Sequence, residues 1–344
     1  MKKILIIATG GTIACVKTDE GLVPEMAPSK VLDYVPEIFE ICSVELIQLF
    51  AIDSSNMYDV HWLKIAEAVE KNYHVYDGFV IMHGTDTMAY TAAALSYLLQ
   101  NISKPVVITG AQQPIERSTS DGRLNLLNSV RYAASSKAFG VSILFNGKVI
   151  AGTRARKVRT KSYNAFSSID FPEIAQVQDG HIIRYISDGK PAGKPKFYHD
   201  MKGKIFPVRL IPGMDPGILY NLKDCYDAMI IESFGVGGIP EYDIDGGSYA
   251  GAIESWLKAG KVVVVTTQVP HEGSDMAVYH VGLHIKEKYE IIEAYDMTFE
   301  ATVTKLKWIL ARTSDMKKIR ELFYRPINYD IIPEDDIITD VSDT

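Results

Sequence analysis

Cysteine is scarce in this 344-residue sequence, which contains only Cys15, Cys42 and Cys225. These three residues lie too far apart for a disulfide framework, and no CxxC pair is present that could hold a structural zinc ion. The shortage excludes the small secreted domains that depend on disulfides for their stability. We therefore expect a reduced, cytoplasmic protein.

Long hydrophobic runs are also missing, because the apolar runs of the sequence fall well short of the ~20 residues that cross a bilayer. The amino terminus, MKKILIIATGGTIA, begins like a secretory signal, but its apolar run from Ile4 ends at Ala8. A signal peptide needs about 7–15 apolar residues. We expect a β-strand from Lys3 instead, with no membrane segment and no membrane partner.

Positive charge is the third shortage. Lysine plus arginine number 36 against 43 aspartate plus glutamate, which leaves a net charge of -7. Since lysine and arginine are what hold a phosphate backbone, no nucleic-acid partner is expected. The hydrophobic fraction of 47% and the charged fraction of 23% are those of an ordinary globular protein. At about 150 residues per domain, the length predicts two domains.

Short runs of aliphatic and β-branched residues alternate with longer segments of helical periodicity, which predicts parallel sheets covered by helices. We predict a two-domain α/β protein. Residues 1–186 form the larger N-terminal domain, with a doubly wound, mostly parallel sheet of the flavodoxin- or Rossmann-like kind, and residues 208–330 form a smaller C-terminal α/β domain. Residues 187–207, rich in proline, glycine and lysine, are predicted as the linker, and residues 331–344, with five acids and no base, as a mobile tail. The predicted strands are Lys3–Ala8, Val44–Phe50, Gly78–Met82, Pro105–Thr109, Val141–Phe145, Val208–Ile211, Ala228–Glu232 and Lys261–Thr266, and the predicted helices are Trp62–Tyr73, Ala89–Gln100, Arg123–Ala134, Tyr249–Ala259 and Glu300–Ala311.

Polar residues cluster where the first four predicted parallel strands end. The carboxyl ends of parallel strands meet at one edge of a sheet, and open α/β sheets bind their ligands there. We therefore predict a small-molecule site at this edge. The four turns are Thr9-Gly10-Gly11-Thr12, Asp53-Ser54-Ser55, His83-Gly84-Thr85-Asp86-Thr87 and Thr109-Gly110-Ala111-Gln112.

Two of these turns allow several interpretations when each is taken alone. The glycines before Thr12 could form a phosphate cradle, a platform for a nucleophile, or only a tight turn with a threonine cap. Neither GxxxxGK[ST] nor GxGxxG is present there. Asp86 could cap a helix, or its carboxylate could bind an ammonium group.

A basic run, Arg154–Lys161, places five cations in eight residues. Such a run is most often a solvated face, and RNA binding is a further possibility. A lysine such as Lys157, if held beside a carboxylate and a hydroxyl in a dry crevice, could instead act as a base.

Taken together and in their order, these motifs resemble the bacterial-type L-asparaginases. The Asp-Ser-Ser turn and the Ala89-Tyr90-Thr91 continuation resemble the type I, cytoplasmic branch. A relative that acts on misacylated glutamyl-tRNA carries an extra barrel domain before the Thr-Gly-Gly strand, which here starts at residue 3, so the pattern favours the asparaginases. The resemblance covers nearly the whole chain and is carried by Thr9–Ala14, Asp53–Ser55, His83–Met88, Thr109–Ala111, Phe145–Lys148 leading to Lys157, Gly235–Gly238 and Asp296–Thr298.

The resemblance implies hydrolysis of L-asparagine to L-aspartate and ammonia. Thr12 would attack the side-chain amide carbon and form an aspartyl ester, which water then hydrolyses. Thr85, Asp86 and Lys157 would form a second triad, in which Lys157 acts through Thr85. No metal or organic cofactor is implied, and a neighbouring subunit would close the site in a homodimer or homotetramer. The implied substrate-binding residues are Asp53, Ser54, Ser55, Gly84 and Ala111, with Asp86 taking the α-ammonium group.

Two positions depart from the family pattern. Many members have a catalytic tyrosine in the loop after the first motif, where Leu22 stands here. Tyr279, in a Tyr-x-x-Gly segment, is our candidate to replace it, with a core or surface role as the alternative and Tyr58 as a weaker choice. Gly238 stands where some members have an asparagine that reaches into the neighbouring site. A glutaminase or broader amidase, and a non-catalytic amino-acid-binding protein, stay open as alternative functions.

Overall fold

The structure, a computed structural model, describes residues 1–18, 21–23, 26–241, 247–278 and 280–333. The chain divides into two compact units. The larger unit contains Met1–Asp200 and Ile327–Tyr329, and the smaller unit contains Met201–Pro326 and the described residues from Asp330 onward. The division falls inside the segment predicted as a linker. Residues 327–329, predicted for the C-terminal domain, belong to the larger unit instead, because their hydrogen bonds go to residues there.

The larger unit is built on an eight-stranded sheet in the order β13-β12-β9-β8-β7-β5-β1-β4. The strands from β4 to β8 in this order are parallel, and β9, β12 and β13 continue the sheet antiparallel. Its strands are β1 (Lys3–Gly10), β2 (Val16–Thr18), β3 (Gly21–Val23), β4 (Ser43–Ile52), β5 (Gly78–Met82), β6 (Leu99–Gln100), β7 (Pro105–Thr109), β8 (Gly140–Phe145), β9 (Lys148–Ala151), β10 (Ala155–Lys157), β11 (Phe166–Ser168), β12 (Ala175–Gln178), β13 (His181–Arg184) and β14 (Lys196–Phe197).

The central strands are apolar along their whole length because both faces of the sheet are covered. Every residue of β5 and of β7 is buried. The described helices of this unit are α1 (Pro28–Asp33), α2 (Ile38–Ile41), α3 (Asp59–Asn72), α4 (Met88–Leu98) and α5 (Gly122–Ala133), with 3-10 turns at Thr12–Ala14 and Ser54–Asn56. The five strands predicted for the N-terminal half coincide with β1, β4, β5, β7 and β8 to within two residues at each end.

The smaller unit has its own parallel sheet, in the order β15-β16-β17-β18. Side-chain caps begin three of its helices: Ser248, Thr298 and Asp315 each accept a hydrogen bond from a backbone N–H in the first turn. Its elements are β15 (Ile205–Arg209), α6 (Gly217–Leu222), β16 (Ala228–Ser233), α7 (Tyr249–Lys258), β17 (Val262–Thr267), α8 (His280–Lys288), β18 (Ile292–Glu293), α9 (Phe299–Leu310) and α10 (Met316–Tyr324). The predicted strand Val208–Ile211 therefore starts earlier, inside the predicted linker.

A buried ion pair lies in the core of the smaller unit. Lys305 on α9 meets Asp330 at 2.6 Å, and neither side chain is exposed to solvent. Lys305 Nζ also donates to the carbonyl oxygen of Arg325 at 2.9 Å. Burial lowers the pKa of Lys305, and the Asp330 carboxylate opposes that effect.

The predicted fold class is confirmed: a large, mostly parallel sheet in the N-terminal part is followed by a smaller α/β unit. None of the described helices is long and apolar enough to cross a membrane.

Candidate active site

The turns that follow β1, β4 and β5 pack so closely that two of the contact positions can hold only glycine. Gly11 has a φ of 85°, and a Cβ there would lie 2.4 Å from the Gly84 amide nitrogen. A Cβ on Gly84 would lie 2.6 Å from Ser54 Oγ. Neither gap can hold a side chain. The turn after β7 joins the group, because the His83 N–H donates to the Thr109 carbonyl oxygen at 2.8 Å. The structure thus brings the four predicted turns together.

Thr12 begins a 3-10 turn directly after β1. Its side chain is half-buried, whereas Ile13, the next residue, is fully buried and holds the turn against the core. Backbone bonds fix the turn on both sides: the Cys15 N–H donates to the Thr12 carbonyl at 3.0 Å, and the Ile115 N–H donates to the Ile13 carbonyl at 3.2 Å. The Thr12 hydroxyl is therefore carried by a well-anchored turn at the carboxyl end of a central strand.

Lys157, Thr85 and Asp86 form a hydrogen-bonded cluster. Lys157 Nζ donates to Thr85 Oγ1 at 2.8 Å and to Asp86 Oδ1 at 2.6 Å. The Lys157 side chain is 15% exposed, while that of Asp86 is 66% exposed. Lys157 is therefore not part of a solvated face, and Asp86 keeps much of its carboxylate open to a ligand. The sequence placed these residues 71 and 72 positions apart, and β10 brings them together.

Gln112 is a second hydrogen-bond partner of the Thr85 side chain, and its sequence position alone predicted no role for it. The Thr85 hydroxyl donates to Gln112 Oε1 at 3.2 Å, and Gln112 Nε2 donates to the Ser162 carbonyl oxygen at 3.2 Å. Because the Lys157 amine already donates to Thr85, the threonine hydroxyl proton has a fixed direction, toward Gln112.

Asp121 holds the turn that carries Gln112. Its carboxylate accepts the backbone N–H groups of Gln112 at 3.0 Å and Gln113 at 3.1 Å, and it also accepts a bond from Asn125 Nδ2 at 3.2 Å. Burial raises the pKa of Asp121 in spite of these bonds. An aspartate just before a helix suggests an N-cap, but this side chain makes no capping bond to the described first turn of α5 and points back to the preceding turn. The position of Asp121 before a helix therefore indicates a polar role for it, but as a helix cap and not as the residue that holds the preceding turn.

His83 supports the adjacent turn as an uncharged ring. Trp62 Nε1 donates to Thr91 Oγ1 at 3.0 Å, so the Thr91 hydroxyl donates in turn to His83 Nε2 at 2.9 Å. We assign the ring proton to Nδ1, which then donates to the Gly84 carbonyl oxygen at 2.7 Å. Complete burial lowers the pKa of His83 to about 4. The ring fixes the peptide just before Thr85.

The Asp-Ser-Ser turn is organised by its aspartate. Asp53 caps the 3-10 turn by accepting the Ser55 N–H at 2.8 Å and the Ser55 hydroxyl at 2.7 Å, and these bonds lower the pKa of Asp53. Ser54 is buried, and its carbonyl oxygen accepts the Thr87 hydroxyl at 2.8 Å. Asp53 thus uses one carboxylate oxygen to orient Ser55.

Two family profiles match the chain and together span most of it. The one described as "Asparaginase, N-terminal" matches residues 3–188, and the one described as "Glutaminase/Asparaginase C-terminal domain" matches residues 204–323. The chain belongs to the asparaginase family.

Individual relatives agree with this membership. The chain is 33% identical to L-asparaginase 1 of Escherichia coli strain K12, over 97% of this chain and 99% of that protein. The solved structure of the thermostable L-asparaginase from Thermococcus kodakarensis superposes with a TM-score of 0.88 at 34% identity, covering 96% of this chain and 99% of that one. A glutamyl-tRNA(Gln) amidotransferase chain of Pyrococcus abyssi is 34% identical over 97% of this chain but only 77% of that protein.

The basic run of this asparaginase-family chain is not one surface. Arg159 and Lys161 are exposed, as expected of a solvated face. Arg154 is wholly buried, which corrects that interpretation for this residue: its Nε donates to the Tyr329 carbonyl oxygen, and its guanidinium lies over the Phe171 ring. No sequence-local pattern signals this, because Tyr329 lies 175 residues away.

The residues considered for the catalytic tyrosine lie in different surroundings. Tyr279 lies outside the described residues. Leu22 is the middle residue of β3, and its backbone pairs with Lys17. Tyr58 is 70% exposed at the N-cap of α3.

Gly238, the second position that departs from the family pattern, closes a tight turn in which its N–H donates to the Phe234 carbonyl oxygen at 2.7 Å. Among the described residues, no group of three or more His, Cys, Asp and Glu side chains is arranged to hold a metal ion.

Proposed function

We propose that this protein hydrolyses L-asparagine to L-aspartate and ammonia, with Thr12 as the nucleophile. The observation that carries the proposal is the contact of Lys157 with both Thr85 and Asp86, on a turn that packs against the Gly11 main chain beside Thr12. An unassisted threonine hydroxyl is a weak nucleophile and needs a base within reach. Lys157, whose amine bonds to the hydroxyl of Thr85, can supply that base.

The reaction then runs in two halves. Thr12 Oγ1 attacks the amide carbon of the substrate side chain while its proton passes through Thr85 to the unprotonated amine of Lys157. The same relay then returns a proton to the departing nitrogen, so that ammonia leaves and an aspartyl ester remains on Thr12. Water next attacks the ester carbon and releases aspartate and the free hydroxyl. In the second half Thr85 takes a proton from the water while its own proton passes to Lys157 in the unprotonated amine form, and Lys157 returns a proton through Thr85 to Thr12 Oγ1 as the ester bond breaks. This transfer requires the Thr85 hydroxyl to turn from Gln112 toward Lys157.

Substrate binding follows from the exposed groups at the rim. The open carboxylate of Asp86 suits the α-ammonium group. The hydroxyls of Ser54 and Ser55 are the proposed ligands of the α-carboxylate, and binding it requires the Ser55 hydroxyl to turn away from Asp53. Asp53 contributes by holding the Ser55 N–H. Backbone N–H groups at Thr85 and Ala111 are the candidate donors for the oxyanion, and such donors typically contribute about 3 kcal/mol each. An oligomer whose neighbouring subunit closes the site, and a cytoplasmic location, stay predictions of the resemblance.

The test is ammonia release from asparagine by Thr12→Ala and Thr85→Val, with Thr313→Ala in the smaller unit as the matched control. Both site variants should lose at least about 10³-fold in kcat while the control keeps its rate. Acid quenching of the wild-type reaction, followed by peptide mass analysis, should find an aspartyl adduct on the peptide that contains Thr12. Folded site variants that release ammonia at the parent rate would refute the assignment.

Glutamine is the second substrate to compare, because one methylene changes pocket affinity by only about 1–3 kcal/mol. The ratio of kcat/KM for the two free amides decides between an asparaginase and a broader amidase. Binding of aspartate without any ammonia release would indicate an amino-acid-binding protein instead.

A further inference from the structure

The strand that carries Lys157 has little support of its own. Within the described part of the chain, β10 pairs only with β11, in a two-stranded ribbon separate from the eight-stranded sheet. An isolated two-stranded ribbon is marginally stable at best. The position of Lys157 must therefore depend on contacts that the ribbon makes elsewhere.

Such contacts come from Ile327–Tyr329, which we call the return segment. Thr153 Oγ1 donates to the Asn328 carbonyl oxygen at 2.5 Å, and Arg154 Nε donates to the Tyr329 carbonyl oxygen. Thr153 and Arg154 lie directly before β10, and both are fully buried. Two successive side chains at the start of the ribbon thus bind two successive carbonyls of the return segment.

The return segment is itself firmly held in the larger unit. Asn328 Nδ2 donates to Ser96 Oγ at 2.8 Å, on α4, and to the Val141 carbonyl oxygen at 3.0 Å, on β8. The Tyr329 ring stacks on Phe171 with centroids 4.8 Å apart, and its hydroxyl donates to Asp188 Oδ2 at 2.8 Å. The backbone φ values are 51° at Asn328 and 65° at Tyr329, a conformation that its contacts must maintain.

Arg154 connects the return segment to the ribbon. Its N–H donates to the Ala151 carbonyl at the end of β9, and its carbonyl accepts the Ile169 N–H just after β11, both at 2.9 Å. Its guanidinium lies over Phe171, the same ring on which Tyr329 stacks. From Arg154 the extended backbone of β10 leads to Lys157 in three residues.

We propose that Arg154 and the return segment are positioning elements for Lys157, which keep its amine within hydrogen-bond distance of Thr85 and Asp86. This inference rests on the proposed function, in which Lys157 takes part in proton transfer. A displacement of about 1 Å in a catalytic group can reduce the rate about 10²-fold. Residues outside the catalytic group would thus set kcat through the placement of one amine.

The test uses Arg154→Lys, which keeps the charge but loses the Nε donor, and Asn328→Gly, which removes the two side-chain anchors and still permits a positive φ. Arg159→Lys, at an exposed position of the same basic run, is the matched control. For each protein, asparagine kinetics give kcat and KM separately, and hydrogen exchange with peptide mass analysis gives the protection of residues 153–158 and of α4.

We expect both site variants to lose about tenfold or more in kcat with a smaller change in KM, because the groups proposed for the α-carboxylate lie on another turn and only Asp86, proposed for the α-ammonium group, touches Lys157. Exchange should accelerate in residues 153–158 and not in α4, and the control should match the wild type. Wild-type kcat in both folded variants overturns the proposal, and so does faster exchange throughout the larger unit with a higher KM, which indicates general loosening. If the wild-type protein releases no ammonia from asparagine, the proposed function fails, and selective exchange at residues 153–158 still decides whether the return segment holds the ribbon.

Discussion

His83 should make the stability of the larger unit depend on pH in a way that one substitution removes. Burial lowers its pKa to about 4 from the ordinary value of 6.5, so the folded protein resists protonation of a ring that the unfolded chain protonates readily. Below pH 6.5 the unfolded state therefore binds more protons than the folded state. Stability contributed by neutral His83 is complete above pH 6.5 and is lost as the pH falls toward 4.

The size of the effect follows from the two pKa values. A difference of about 2.5 units corresponds to about 3 kcal/mol when both states are titrated, and at pH 5 the loss is about 2 kcal/mol. A loss of this size is a large share of the stability of a domain. The charged ring would also turn Nε2 into a donor facing Thr91, whose hydroxyl could then no longer donate to it.

The assay is urea unfolding followed by circular dichroism at pH 8 and pH 5, for the wild type, His83→Gln and His74→Gln. His74 is exposed, so its removal should leave the pH dependence unchanged. His83→Gln should lower the stability at pH 8 and reduce the difference between the two pH values by about 2 kcal/mol. An unaltered difference in His83→Gln would refute the assignment of a neutral, buried ring.

Three further predictions concern single contacts. Asp121→Ala leaves the Gln112 and Gln113 N–H groups without their acceptor, so we expect a loss of about 1–3 kcal/mol in urea unfolding together with a lower kcat on asparagine; an unchanged kcat would show that the turn does not need its carboxylate. Asp330→Asn leaves the Lys305 amine buried without its counter-charge, so we expect the free energy of unfolding of the smaller unit to fall by about 3–5 kcal/mol. Replacing both residues of the pair with apolar residues should recover much of that loss. A loss as small as that from breaking a surface ion pair would contradict the prediction. Gly11→Ala places a methyl group 2.4 Å from the Gly84 nitrogen, and we expect loss of ammonia release with little recovery at lower temperature, whereas an active variant would show that the turns can separate.

The parts of the fold that the sequence predicts well are those whose cause is local. β5 and β7 are continuous apolar runs because both of their faces are buried, and a single pass along the chain finds them. The four turns could be placed at one edge because the carboxyl ends of parallel strands meet there. The antiparallel strands β12 and β13 were not predicted, because they are short and half-exposed and so lack a continuous apolar run.

The parts that the sequence does not predict depend on contacts between distant segments. Arg154 resembles its exposed neighbours in the basic run, and its burial is supported by partners outside that run, such as the carbonyl of Tyr329, 175 residues away. Asp121 stands where a helix cap is expected, yet it serves the preceding turn. In each case the residue type and the local sequence pattern gave information about the residue itself, but they did not identify the group to which it bonds.

The close approach of Gly11, Gly84 and Ser54 has a consequence for how this protein can diversify. Gly11 and Gly84 have no room for a side chain, so no substitution at either position can add a new functional group without first forcing the turns apart. New substrate preferences, in nature or in directed evolution, must therefore arise at positions around these turns that carry side chains, such as Gln112. The backbone of these turns must therefore stay the same for the reaction to be kept, whereas the side chains around them can change and alter which substrate is preferred.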